Sequence, residues 1–431
     1  MLGEVVFRGA PSCVGAACAL RESVGDLLSE RSARPIHDSA IRVPELDGLR
    51  GIAIALVMLV HFGMRIEPDS GASEWVWALC RTGWCGVDLF FVLSGFLITG
   101  ILLDTRSDEG YYRKFFARRV LRIFPLYYGV LLTVFVGLPM LAPGMIDAGL
   151  QSKQGFLWAY VSNFISIREG AEPWRGTTLN FAHFWSLAIE EQFYLFWPLV
   201  VYRAGRLRLK RLCVALIVVA LPLRMLAHEW IGPFAPYYLT PCRIDTLAWG
   251  ALAAVWMRLH SRDEMIACGK RLIACTAPCL AGLFFWRGGL IHFDPVVTGF
   301  GFSLLAACFT GVLVLVYCVP QSRWCAPLRG RFLQSLGRYS YATYVFHGLL
   351  QVWLWGFAEG FRATAGNYFA ALLLYVLFCG GVSYACARLT WPLEVACLRL
   401  KRHFEYDSRQ KSNAPSKSLS DGLIGEPAPA S

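Results

Sequence analysis

From residue 43 onward the chain alternates long apolar runs with short polar connectors, and the runs approach the length a bilayer demands. A hydrocarbon core of about 30 Å takes roughly 20 apolar residues per helix. On that measure ten spans are predicted, near 48–64, 84–103, 124–142, 184–202, 212–228, 243–260, 272–287, 295–318, 340–357 and 368–387. The run at 272–287 is the weakest. Residues 155–167 are apolar but too few to cross, and read as a re-entrant or interfacial piece. The expected fold class is therefore an all-α integral membrane protein of about ten transmembrane helices. Residues 43–400 form that domain.

The ends read differently. Residues 1–42 hold one short apolar patch at 13–20 and lack the basic start of a signal peptide, so they are expected to be a cytosolic extension. Residues 401–431 form a cytosolic tail, rich in Ser, Pro, Lys and Gly from Asp407 and expected to be largely disordered.

Composition agrees with a bilayer, since 56% hydrophobic and 16% charged residues lie outside the range of soluble domains. The net charge of +11 does not point to nucleic acid, because the basic residues fall in clusters between apolar runs rather than along one stripe. The clusters at 106–122, 203–211, 258–271 and 323–338 lie on alternate sides of the spans. By the positive-inside rule those sides face the cytosol, which puts both termini inside and the chain in the inner (cytoplasmic) membrane. The 15 cysteines fall mostly singly in apolar runs without metal spacing, although Cys80 and Cys85 flank an outer loop end and could oxidise.

Ionisable residues inside spans are costly and mark candidate chemistry. Arg50 and His61 share a face of the first span, eleven residues and about 16 Å apart. Asp88 in the second span and Glu190 and Glu191 in the fourth reach a depth comparable with His61. Depth allows these groups to meet in one cavity, the grouping that general-base activation of a hydroxyl needs. Adjacent helix positions point about 100° apart, so at most one of the two glutamates is expected to face it. In the connector before the third span, Arg119 and Arg122 present two guanidinium forks on one face, a geometry that suits phosphate. The same pair would equally anchor topology or bind anionic headgroups.

Together these segments resemble the membrane-bound acyltransferase family 3, which includes bacterial O-antigen and exopolysaccharide O-acetylases, Nod-factor acetylases and macrolide O-acylases. The resemblance rests on five ordered motifs between Val43 and Leu400. These are Pro44-Glu45-Leu46-Asp47-Gly48-Leu49-Arg50 with His61, the stretch 86–100, the stretch 118–125, the stretch 184–198, and Gly337-Arg338-Tyr339-Ser340-Tyr341 with His347. It implies that Arg50 and His61 are both needed for transfer, and that Arg119 and Arg122 lie at the acyl-CoA side. It also implies an acyl group, often acetyl, taken from cytosolic acyl-CoA as donor substrate, with no tightly bound cofactor and no metal. The acceptor would be a hydroxyl of a glycan, lipid-linked sugar or macrolide-like compound. Some members of the family carry a fused extracytoplasmic domain; here the membrane domain is expected to act alone or with a separate partner.

On this reading His61 is the general base on the acceptor hydroxyl, or carries the acyl group transiently, while Asp88 or Glu190 orients its ring. The competing class is a polytopic transporter or flippase of a glycan or lipid intermediate, but no inverted repeat supports it. The charge pattern predicts that Arg206 and Arg329 are cytosolic and Arg175 is outside. Cysteine-accessibility labelling on a cysteine-free background tests this, and impermeant reagent reaching position 206 from outside would overturn it.

Overall fold

The computed structural model describes residues 43–170, 174 and 176–406. The expected cytosolic extension, most of the expected tail and both chain ends lie outside the described residues. Among the described residues there are no strands, and a long helix lies at each of the ten predicted positions. These are α1 (Pro44–Gly63), α2 (Cys85–Asp104), α3 (Tyr111–Leu132), α4 (Phe184–Arg203), α5 (Arg206–Trp230), α6 (Thr240–Trp256), α7 (Arg262–Arg287), α8 (Phe302–Cys318), α9 (Ser340–Trp355) and α10 (Tyr368–Arg399).

Six of the helical segments are long and apolar enough to cross a membrane by length and composition: those of α1, α2, α3, α7, α8 and α10. The other four are helical but fall short for visible reasons. The polar Glu190-Glu191-Gln192 run lowers the hydropathy of α4, α5 opens on four basic residues (Arg206, Arg208, Lys210, Arg211), and α6 and α9 have only 17 and 16 residues.

Two local expectations change. The weak run at 272–287 is the second half of a 26-residue helix, because Ser261 and Glu264 form a capping box that starts α7 well before its apolar part. The short apolar piece at 155–167 is split between two helices, Ala148–Trp158 and Asn163–Glu169. Tyr160, with a left-handed φ of 53°, lies in the break between them. Cys80 and Cys85, weighed as a disulfide, are free and buried.

The apolar residues of α2 point in every direction, so it is buried all round and lies at the centre, against α1, α4, α6 and α8. It meets α6 at backbone distance. A Cβ on Gly95 would lie 2.8 Å from the Leu247 carbonyl carbon, and one on Gly250 would lie 2.8 Å from the Phe96 amide nitrogen. Small residues facing each other in this way let helices pack without a hydrophobic driving force. The same device joins two of the sequence motifs: a Cβ on Gly337 would lie 2.6 Å from the carbonyl carbon of Asp47. At the periphery, α5 exposes Val218 and Val219, and α10 exposes Leu373, Leu374 and Leu377, an apolar surface suited to lipid.

Two buried ion pairs brace the centre. Arg243 on α6 donates to Asp88 on α2 at 2.6 Å, and Thr246 adds a 3.3 Å hydrogen bond to the same oxygen. Arg224 on α5 donates to Asp245 at 2.8 Å and to the Cys242 carbonyl at 3.1 Å. All four charged side chains are fully buried.

Two stability outcomes follow from this packing. Gly250→Leu should lower stability by about 1–3 kcal/mol, the usual cost of overpacking, and Gly250→Ala by less. Thermal unfolding in detergent checks this, and a wild-type midpoint for the leucine variant would refute the close contact. Asp88→Ala should cost about 3–5 kcal/mol because it leaves Arg243 charged and unpaired. A double-mutant cycle with Arg243→Met should recover much of that loss, whereas additive losses would show that the two side chains do not act as a pair.

Candidate active site

A pocket with a cavity volume of about 100 Å³ opens between α1, α2, α3, α4 and α9. Helical period explains its lining. On α4, Ser186, Glu190 and Tyr194 recur every fourth residue and form one stripe along the wall, with Leu187 and Glu191 as a second stripe beside it. Both glutamates therefore line the pocket, where one was expected, because the cavity is wide enough to wrap about 100° of the helix. From α1 comes Arg50, from α3 come Arg119 and Arg122, and from α9 come Ser340, Tyr341 and Tyr344.

The polar walls are tied together. Ser94 Oγ and Tyr194 OH lie 2.5 Å apart, linking α2 to α4. Tyr341 OH donates to the Ile123 carbonyl at 2.9 Å, linking α9 to α3. Arg119 lies 5.2 Å from the centre of the Tyr194 ring. Arg50 has one carboxylate partner, Asp47 at 3.8 Å, one turn before it on α1. Among the described residues, neither Arg119 nor Arg122 has an ion-pair partner or a hydrogen-bond acceptor of its own. Three guanidinium groups thus converge on a cavity that Glu190 and Glu191 also line, and the forks of Arg119 and Arg122 keep their donors available to an anionic group.

The opposite end of α1 carries His61, at the far end of the roughly 16 Å rise from Arg50. It does not line the pocket. Its ring instead abuts His347 of α9, centroid to centroid 4.8 Å, and His347 abuts His183 at 4.9 Å. The pocket and this row of imidazoles meet at Tyr344. Its hydroxyl lies 2.6 Å from Ser186 Oγ and donates to the His183 carbonyl at 2.9 Å, and its ring lies 5.1 Å from that of His347.

The expectation that Asp88 or Glu190 orients His61 is not met. Asp88 faces α6, where Arg243 takes its charge, and Glu190 faces the arginine end of the pocket, where the charges of Arg119 and Arg50 act on it. The His61 ring is held by its own helix: Nδ1 lies 2.8 Å from the Val57 carbonyl. A carbonyl only accepts, so Nδ1 carries the proton and Nε2 keeps a free lone pair, the state a general base requires. Of the seven residues singled out in the sequence, the structure groups Arg50, Arg119, Arg122, Glu190 and Glu191, and separates His61 and Asp88 from them.

Sequence reasoning missed His183, Ser186 and Tyr344, and it also missed Arg224 and Arg243. The arginines carried a legible signal, being ionisable within predicted spans. His183 directly precedes the motif beginning at Phe184, but nothing in its neighbours places it beside His347. Outside the spans, Asp147 ties together the two ends of the long connector between α3 and α4, accepting from the Leu150 amide (2.8 Å) and the Thr178 amide (2.8 Å). Partial burial opposes its charge, but these donors outweigh that and hold its carboxyl below the ordinary range.

Comparison with known proteins places this geometry. Residues 43–388 match the family model described as an acyltransferase domain. O-acetyltransferase OatA of Staphylococcus aureus is 28% identical over 321 residues, covering 71% of this chain and 50% of that protein. YrhL of Bacillus subtilis, provisionally described as a peptidoglycan O-acetyltransferase, is 30% identical over 330 residues, covering 71% of this chain and 48% of its own length. The chain therefore spans about half the length of the curated relatives it matches. No solved structure matches it. With the family model covering the pocket, the histidine row and every helix from α1 to α9, the chain belongs to the acyltransferase 3 domain family.

Proposed function

We propose that this chain is a multi-pass protein of the cytoplasmic membrane that transfers an acyl group, acetyl in the first instance, from cytosolic acyl-CoA to a hydroxyl of peptidoglycan or a related glycan. The observation that carries the reading is a pocket lined by three arginines that meets, at Tyr344, a row of imidazoles ending in a base-competent His61 outside it. The description of YrhL as a peptidoglycan O-acetyltransferase supports the acceptor class. A transporter or flippase role has no comparable support.

In this reading Arg119 and Arg122, with Arg50 beside them, take the phosphates of acyl-CoA through charge-assisted hydrogen bonds. The pantetheine arm lies along the stripe of Glu190, Ser186 and Tyr344, and its thioester reaches the histidine end. There His61 Nε2 removes the proton of the acceptor hydroxyl. The oxygen attacks the thioester carbonyl, the new C–O bond forms as the C–S bond breaks, and the departing thiolate recovers the proton as CoA thiol. The connector fastened by Asp147 lies outside the spans and would border the acceptor.

The two ends can be separated experimentally. Arg119→Ala and Arg122→Ala should each weaken CoA binding by about 1.5–3 kcal/mol while the protein stays folded. His61→Ala should lower transfer from labelled acetyl-CoA by about 10² or more while CoA still binds. His61→Gln should be equally impaired, since an amide accepts no proton. Unchanged CoA affinity in both arginine variants, or near-normal turnover in His61→Gln, would overturn the assignment of that end.

A further inference from the structure

The three imidazoles come from separate elements: His61 from α1, His347 from α9 and His183 from the turn that opens α4. Their contact depends on a missing side chain. A Cβ at Gly348 would lie 2.6 Å from His183 Cγ, so only glycine there lets the His183 ring settle against α9. Each ring is anchored by a backbone carbonyl. His347 Nδ1 lies 2.5 Å from the Tyr344 carbonyl, and His183 Nε2 lies 3.0 Å from the Val345 carbonyl. As with His61, the anchored nitrogen must carry the proton.

That leaves a lone pair on His347 Nε2 and another on His183 Nδ1. Both atoms are buried without a hydrogen-bond partner. An unsatisfied buried acceptor is costly, and a phenyl ring would fill either place without that cost. Among the described residues no carboxylate pairs with any of the three rings. Two bare acceptors therefore stand behind His61 where a carboxylate would otherwise be needed to stabilise it once protonated.

Resting on the function proposed above, we infer that His183 is a positioning residue of the transfer reaction, acting on His61 through His347. When the hydroxyl proton reaches His61 Nε2, the positive charge forms beside His347, whose Nε2 lone pair is turned to no other donor. His183 Nδ1, bare and seated against α9 at Gly348, adds a second fixed lone pair beside the His347 ring. The field of these lone pairs is fixed before the reaction and favours the charged state of His61, which is the form electrostatic preorganisation takes. No proton is gained or lost by the row over a turnover, since the proton from the hydroxyl leaves on the CoA thiol.

The test uses the full chain in detergent or nanodiscs, with labelled acetyl-CoA and soluble muramyl glycan fragments. His183→Phe fills the same space without a lone pair. It should lower kcat tenfold or more while KM for acetyl-CoA and CoA affinity stay within about twofold of wild type. Gly348→Ala, which keeps the imidazole but displaces it, should lower kcat in the same direction. His183→Gln, whose amide can donate to the Val345 carbonyl and still offer an acceptor, should recover most of the loss. Wild-type kcat in a folded His183→Phe protein would overturn the inference, and if His61→Gln were inactive in parallel, the proposed function would survive it. If His183→Phe does not fold, 15N spectra of histidine-labelled wild-type protein decide the matter. A free Nδ1 on His183 and a free Nε2 on His347 support the arrangement, and a proton on His183 Nδ1 refutes it.

Discussion

Placing a guanidinium away from water costs several kcal/mol unless its charge is met, and this one cost organises the bundle. Arg224 and Arg243 are fully buried and each has an aspartate within hydrogen-bond distance, so they tie α5, α6 and α2 together. Arg50, Arg119 and Arg122 are not matched in the same way, and they face a cavity instead. The difference separates structural charge from charge available to a ligand. It also ties Asp88 to α6, since turning it to another partner would strand Arg243.

The close contact of α2 with α6 through Gly95 and Gly250 sets the distance across which the Asp88–Arg243 pair forms. Around this core, α4 supplies a polar stripe and α9 supplies Tyr344, which touches both the pocket and the histidines. A single helix, α1, carries both Arg50 at the pocket and His61 at the imidazole row. A donor held at the arginines and an acceptor reaching the histidines would thus be separated by the helix rise alone, without any moving part.

The amino-acid sequence by itself determined the helical class, the position of all ten long helices, and the facing of residues along any one of them. Arg50 with His61, and Arg119 with Arg122, are relations within one helix, and the helical period dictates them. Residue spacing does not determine how a helix is rotated about its axis against its neighbours. That rotation turned Asp88 toward α6 rather than α1, brought both Glu190 and Glu191 to the pocket, and set His183 against His347 through the gap at Gly348. Only the tertiary structure decided these, because close packing of bare glycine surfaces and the pairing of buried charges are satisfied between helices and leave no period in the chain.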